Sequence, residues 1–316
     1  MFEEIISKIE QHDSIVIFGH RNPDGDCYGS QIALRNILRG HYPTKKVYCV
    51  GSGLKKFFEI IGTMDVVPDE VIAKSLAIIL DSNDLERCED QRVNKACDFA
   101  KIDHHIDTFT FKEGPEVIDD KASSTCELIY LLAKENNFEI DLVSGSALYL
   151  GIMTDTGRFQ FANNFVRMFS IVRDLCDLGV DPILLNKTNN LVPEISLDIK
   201  AFIYTHIIKR DDGIIYAVAT KEDREKLGVT SAQICANTSL LSYIVNHPIW
   251  FIASETDTGG MQVEMRSSIY NVQAVAAHFG GGGHTFAAGF TIKSFSQDII
   301  DELISMLSET IRKGAN

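Results

Sequence analysis

Residues 19–26 read GHRNPDGD, which puts His20, Asp24 and Asp26 within seven positions, directly behind the apolar run Ser14-Ile-Val-Ile-Phe18. Similar groups recur. Asp81 opens DSND after the run Leu76–Leu80, and Asp103, His104 and His105 follow Phe99–Ile102. Asp155 sits in TDTG after the apolar segment Leu142–Met153. One aspartate at a strand end is ordinarily a cap or turn residue, and one loop histidine is ordinarily solvated. Four such groups at successive element ends are poorly explained that way. Imidazole nitrogens mixed with carboxylates, without thiolate, suit Mn²⁺ or a similar borderline-hard cation better than structural zinc, with Mg²⁺ or Co²⁺ as substitutes. Four aspartates and two histidines are too many ligands for one ion and right for two. Two ions ~3.5–4 Å apart activate a water and stabilise both oxygens of an in-line phosphoryl displacement. Asp81, alone at its strand end, is the natural bridging ligand.

The elements that must position these groups alternate. Apolar runs at Ser14–Phe18, Lys46–Val50, Leu76–Leu80, Phe99–Ile102 and Glu116–Ile118 read as strands; Gln31–Leu38, Ser123–Lys134 and Leu142–Met153 read as helices. This alternation predicts an α/β domain with a mostly parallel sheet and flanking helices, whose ligands sit outside the carboxyl ends of the strands. Gly19 and Gly25 are expected to let the backbone turn tightly after the first strand. The polar stretch Asn186–Asn190 and Pro193 suggest a linker, giving domains at 1–185 and 208–316 with the linker at 186–207. The second domain reads as a smaller α/β unit across a cleft: a strand at Gly213–Ala219, a helix near Glu222–Leu227, and a hairpin of Ile249–Thr256 with Gly260–Arg266. A helix at Val272–His278 then leads into Gly280-Gly-Gly-Gly-His284.

Composition narrows the partners. The net charge of −14 argues against a grip on long duplex DNA and favours small or short phosphorylated ligands met locally. No apolar run approaches the ~20 residues of a membrane helix, and the N-terminus lacks signal-peptide features, so a cytoplasmic protein without membrane partners is expected. Seven cysteines without CxxC spacing argue against a disulfide framework, and Cys49, Cys97, Cys126 and Cys176 read as small buried hydrophobes. Four consecutive glycines let successive N–H groups line an anion, and Arg266 and His284 add charge-assisted hydrogen bonds. A linker or helix C-cap is the plainer reading of the glycines. Arg87 either neutralises a substrate phosphate or pairs on the surface with Glu86 or Glu89. Ser123 and Ser124 either cradle a phosphate at a helix N-terminus or simply cap the helix.

The motifs together resemble the DHH phosphoesterase superfamily in chain order: HxxxDxD at His20–Asp26, Asp81 after a hydrophobic strand, Asp103-His104-His105, and Asp155. VEMRSS at Val263–Ser268 and FGGGGHTFAAG at Phe279–Gly289 resemble the DHH-associated C-terminal domain. Within the superfamily the chain is similar to the bacterial oligoribonuclease (nanoRNase) group. That resemblance implies His20, Asp24 and Asp81 on one metal and Asp26, Asp81, His104 and Asp155 on the other. Asp103 would orient a ligand histidine, His105 would point at the scissile phosphate, and Asp81, Asp103 and His105 would form the catalytic set. Arg87, Ser123, Arg266, Ser267, Gly282, Gly283 and His284 would bind substrate. The implied substrates are short single-stranded RNA oligomers, released as mononucleotides, and 3′,5′-bisphosphate nucleotides such as 3′-phosphoadenosine 5′-phosphate. The alternative is a phosphodiesterase of linear or cyclic dinucleotides. A homodimer is compatible with the group.

Overall fold

A computed structural model describes residues 1–105 and 113–314. The expected spans 1–185 and 208–316 also include residues 106–112 and 315–316, which lie outside the described residues. The chain divides into two units, Met1–Leu191 and Val192–Asn316.

The first unit contains strands β1 (Ser14–Phe18), β2 (Lys46–Cys49), β3 (Leu76–Leu80), β4 (Asp98–Asp103) and β5 (Glu116–Ile118). Its helices are α1 (Glu3–Gln11), α2 (Gly25–His41), the single turns α3 (Phe58–Ile61) and α4 (Asp69–Ile72), α5 (Thr125–Glu135), α6 (Leu142–Asp155), α7 (Phe165–Asp177) and α8 (Pro182–Asn189). Among the described residues the strands pair in parallel in the order β2-β1-β3-β4-β5. Both faces are buried, so the strands read as continuous apolar runs. Ile15, Ile17, Ile78 and Leu80 pack with α2, α5 and α6 residues in the main core, while Val16, Phe18, Ala77 and Ile79 face a smaller cluster with Ile72 and Val93. Each buried Ile or Leu contributes roughly 1.5–3 kcal/mol of transfer free energy.

Helix α2 starts six residues before the apolar periodicity at Gln31, because the Asp24 carboxylate caps it, accepting from the N–H groups of Asp26 and Cys27 at 3.0 Å each. The expected linker, 186–207, is largely helical. Asp181 caps α8 through the N–H groups of Ile183 and Leu184, and Pro182 occupies its first turn. The polar Asn186–Asn189 therefore lies on a helix. Two of the four cysteines read as buried differ from expectation: Cys49 and Cys126 are buried, Cys97 and Cys176 exposed. Cys97 lies on the loop entering β4, and Cys176 sits one position past the buried stripe Met168, Ile171, Leu175 of α7.

The second unit contains α9 (Ile195–Thr205), β6 (Ile208–Lys209), β7 (Ile214–Ala219), α10 (Lys221–Leu227), α11 (Ser231–Cys235), β8 (Ile249–Glu255), β9 (Met261–Ser267), α12 (Gln273–His278), β10 (Gly282–His284), β11 (Ala287–Ile292) and α13 (Gln297–Gly314). Among the described residues its mixed sheet runs β10-β11-β9-β8-β7-β6, with β7 and β8 parallel. The expected hairpin is β8–β9, closed by Gly259 at φ +79°. Among the described residues, no helix is long and apolar enough to cross a membrane.

Candidate metal centre

In the first sheet β1 lies between β2 and β3, so the chain leaves β1 on one side and returns on the other. A crevice opens at such a switch point, outside the carboxyl ends of the strands. His20 lies two residues past β1, Asp81 is the first residue past β3, and Asp103 ends β4 with His104 and His105 next. Asp155 is the last residue of α6, which packs along α2.

Asp81 is the hub. Its carboxylate is buried, with Oδ2 3.4 Å from His20 Nε2 and Oδ1 3.5 Å from His104 Nε2 and 3.6 Å from His105 Nδ1. The residue adopts φ +55°, a left-handed conformation that non-glycine residues take rarely and that concentrates at functional sites. Two bonds hold it there: its N–H donates to the Ile102 carbonyl at 3.2 Å, and Thr125 Oγ1 donates to Oδ1 at 3.0 Å.

Asp26 is fully buried and accepts at both oxygens, from Thr125 N–H at 2.6 Å and Cys126 N–H at 2.8 Å. The N-terminus of α5 is thus spent on a carboxylate of the cluster. Ser124 caps the same helix, accepting from Glu127 N–H, and the Ser123 hydroxyl accepts from Asn163 N–H. The capping reading therefore holds for Ser124; the Ser123 hydroxyl takes no part in the cap, and the first N–H groups of the helix, those of Thr125 and Cys126, are spent on Asp26. Ser124→Ala should cost about 1 kcal/mol in denaturant unfolding.

Gly19 and Gly25 do not make the turn after β1; neither has positive φ, and Asn22 does, at 56°. Their role is close packing. A Cβ on Gly25 would come 2.2 Å from Thr154 Oγ1, one on Gly29 2.4 Å from the Ala147 carbonyl, and one on Gly151 2.6 Å from Asp26 Oδ1. These glycines let α2 and α6 approach until Asp26 and Asp155 share a site.

The histidines divide their nitrogens. His20 Nδ1 lies 2.9 Å from the Arg21 carbonyl, which can only accept, so Nδ1 carries a proton and Nε2 faces the carboxylates. Among the described residues His104 Nε2 is buried without a hydrogen-bond partner, 3.3 Å from Asp155, 3.5 Å from Asp81 and 3.8 Å from Asp26. His105 Nδ1 sits 2.8 Å from Asp103 Oδ1. Asp103 therefore orients His105, the phosphate-facing candidate, and among the described residues it is not seen on a histidine of the ligand set. Asp24 stands at the rim, with Oδ1 used in capping and 3.8 Å from His20 Nε2. Lys101, absent from the sequence reading, is fully buried two residues before Asp103, with Nζ 3.9 Å from its Oδ2 and donating to the Asn83 carbonyl. Thr125 was also missed, because its contribution is a backbone N–H and a hydroxyl within a helix start.

Among the described residues, candidate ligand atoms fall into three groups, each within 4.8 Å: His20, Cys27 and Asp81; Asp81, His104 and His105; Asp26, His104 and Asp155. An unpartnered buried imidazole nitrogen among three carboxylates is a donor set that fits divalent cations. The electrostatics agree. Burial, then the charges of Asp81, Asp155 and Asp24, push the Asp26 carboxyl well above its ordinary range. Burial and Asp81 raise Asp155 to about 6, against the opposing pull of His104. Although burial opposes it, the Asp24 and Asp81 carboxylates hold His20 protonated far above the histidine range, and Asp103 raises His105 to about 9. A cation must displace protons from the ligands among these, Asp26, Asp155 and His20, and not from His105. Its apparent affinity should rise as the pH climbs through about 6 and above, and calorimetry in buffers of different ionisation enthalpy should show proton release.

The expected substrate residues fall in both units. Arg87 is exposed at the end of a 3-10 turn (Leu85–Arg87) beside His20: its carbonyl accepts from Arg21 N–H, and the next residue, Cys88, bridges to His20. In the second unit His284, Ala287 and Arg266 pair in register across β10, β11 and β9, so their side chains share one sheet face. Arg266 is held by Glu264 at 3.0 Å. The Ser267 hydroxyl accepts from the N–H groups of Ile269 and Tyr270 in a turn. The four glycines do not form one run of anion-facing N–H groups. Gly280 and Gly281 donate to the Ala277 and Ala276 carbonyls and end α12, and Gly282 and Gly283 enter β10.

A parallel sheet that gathers histidines and carboxylates at its switch point, in this chain order, defines the class: the chain belongs to the DHH family of phosphoesterases, whose chemistry depends on metal. Residues 14–152 match the model described as DHH family, N-terminal domain, and residues 211–313 match the DHHA1 domain. Over nearly its whole length the chain is similar to the bifunctional oligoribonuclease and PAP phosphatase NrnA of Mycoplasma genitalium, 32% identical over 312 residues, covering 96% of this chain and 97% of that one. It is likewise 30% identical over 319 residues to the protein of the same name from Bacillus subtilis, covering 99% of each. Its fold is that of the crystal structure of an exopolyphosphatase-related protein from Bacteroides fragilis, with a TM-score of 0.84 at 23% identity, covering 98% of this chain and 94% of that one.

Proposed function

We propose that this enzyme hydrolyses short oligoribonucleotides to mononucleotides, and 3′-phosphoadenosine 5′-phosphate to AMP and phosphate, with two Mn²⁺ ions. The observation that carries the reading is the buried Asp81 carboxylate, met by nitrogens of His20, His104 and His105 at 3.4–3.6 Å. The substrates named for the relatives from M. genitalium and B. subtilis support the choice of substrate class.

His20, Asp24 and Asp81 would hold one cation; Asp26, Asp81, His104 and Asp155 would hold the other. When bound, such a pair activates a water toward phosphorus and stabilises charge on both oxygens of an in-line displacement. The chain's own groups prepare for this. Thr125 and the start of α5 fix Asp81 and Asp26 before any substrate arrives. Asp103 keeps His105 cationic, with a pKa of about 9, so that it pairs with a phosphate oxygen. In the first unit Arg87 and Ser123 would be substrate-binding residues; in the second unit Arg266, Ser267, Gly282, Gly283 and His284 would be.

The test is product release from 3′-phosphoadenosine 5′-phosphate and from a 5′-phosphorylated RNA dinucleotide by metal-stripped protein resupplied with Mn²⁺. Manganese-dependent turnover of both is expected. Turnover of the dinucleotide alone would shift the reading to a dinucleotide phosphodiesterase, and turnover of neither would remove this substrate class.

A further inference from the structure

One side chain at the centre lies outside the ligand set just given. Cys27 follows Asp26 in the first turn of α2 and is fully buried. Its Sγ shares one group with a His20 nitrogen and an Asp81 oxygen, all three atoms within 4.8 Å of one another. A tetrahedral ion with Zn–N of ~2.0–2.1 Å and Zn–S of ~2.3 Å spaces its ligands about 3.5 Å apart. Small side-chain rotations therefore close this group around a single ion.

A buried cysteine is ordinarily a small hydrophobe. Cys27 differs in where its sulfur is aimed and in what keeps it there. Gln31, one turn along α2, has Oε1 3.8 Å from Sγ, while its Nε2 donates to the Ile17 and Val50 carbonyls at 3.2 and 3.1 Å. The amide is thus pinned to the sheet, and the thiol rests against it. A Cβ at Gly19 would stand 2.4 Å from Sγ and 2.7 Å from Gln31 Oε1, so glycine at that position keeps open the space in which sulfur and amide meet. Among the seven cysteines of the chain, Cys27 is the one that joins a group of candidate ligands among the described residues.

Resting on the metal-centre reading above, we propose that Cys27 is a ligand at the His20–Asp81 position whenever the bound cation is thiophilic. Mn²⁺ would be held there by His20, Asp24 and Asp81; Zn²⁺ or Cd²⁺ would be held by His20, Cys27 and Asp81. The thiol passes its proton to solvent as the sulfur–metal bond forms, with no change of oxidation state. Soft thiolate selects zinc-like ions and carboxylate selects Mn²⁺, so one position carries two alternative ligand sets and responds differently to the two kinds of cation.

Co²⁺ is the probe. Metal-stripped wild type and Cys27→Ser would be titrated with Co²⁺, reading near-ultraviolet absorbance and, by equilibrium dialysis, bound cobalt. The wild type should develop a sulfur-to-cobalt charge-transfer band, and Cys27→Ser should bind Co²⁺ without it. The same variant should lose about 10–100-fold in Zn²⁺ affinity, the range that changes around metal ligands produce, with Mn²⁺ affinity unchanged. Cys27→Ala, which removes the sulfur and adds no donor, should repeat both results. Cobalt bound by the wild type with no such band, or a band that persists in both variants, would overturn the assignment of Cys27. Failure of every protein to bind cobalt would instead overturn the metal centre itself, and the cysteine ligand with it.

Discussion

Asp81→Asn should lower hydrolysis at saturating Mn²⁺ by on the order of 10³-fold or more, at or above the effect of removing one preorganised electrostatic group from an active site. The reason is position. One carboxylate faces His20 with one oxygen and His104 and His105 with the other, so a charge lost there is lost to both halves of the centre. Asparagine suits the site sterically, because it tolerates the φ of +55° at least as well as aspartate. The metal-free protein should change little in stability, since losing Asp81 relieves its repulsion of the Asp26 carboxyl but also removes a charge that holds His20 protonated. Thermal unfolding of the metal-free variant alongside its kcat checks both halves. Activity within tenfold of wild type would remove Asp81 from the chemistry.

Gly151→Ala should have nearly as large an effect from inside a helix. Its new methyl would lie 2.2 Å from Cys126 Sγ and 2.6 Å from Asp26 Oδ1, so α6 must move away from α2 or Asp26 must leave the N–H groups of Thr125 and Cys126. Overpacking of this kind costs about 1–3 kcal/mol of stability, and the displaced carboxylate should lower the amount of metal the protein binds. Gly145→Ala is the matched control. It sits on the same helix and crowds only side-chain ends, with Leu178 Cδ2 at 2.8 Å, far along the helix from Asp26. It should destabilise modestly and leave kcat and bound metal as they were. Equal losses of bound metal in the two variants would mean that helix packing in general, and not the seat of Asp26, governs the centre.

What was legible in the sequence follows from periodicity and chain order. Buried parallel strands write themselves as short apolar runs, and β1, β3 and β5 match the runs at Ser14–Phe18, Leu76–Leu80 and Glu116–Ile118. Placing His20, Asp81 and Asp103–His105 at strand ends needed only the rule that parallel sheets carry their ligands there. The supports were not legible, because they are backbone groups and voids. The N–H groups of Thr125 and Cys126 that hold Asp26 come from residues 99 and 100 positions away. No local pattern marks Gly25, Gly29 and Gly151 as the contact between two helices, and the turn role assigned to Gly25 was wrong for that reason. Cys27 escaped notice because an isolated cysteine in a helix start reads as filler. The glycine run before His284 looked like an anion nest, since sequence cannot tell that two of its N–H groups are consumed in ending α12.

The most direct measurement is turnover of metal-stripped protein titrated with Mn²⁺ and plotted against bound metal from equilibrium dialysis, using 3′-phosphoadenosine 5′-phosphate as substrate. A centre in which two ions share Asp81 requires turnover at the buffer blank without metal, a rise as the second equivalent binds, and a plateau at two. Full turnover at one equivalent, or turnover that survives exhaustive chelation, would contradict it.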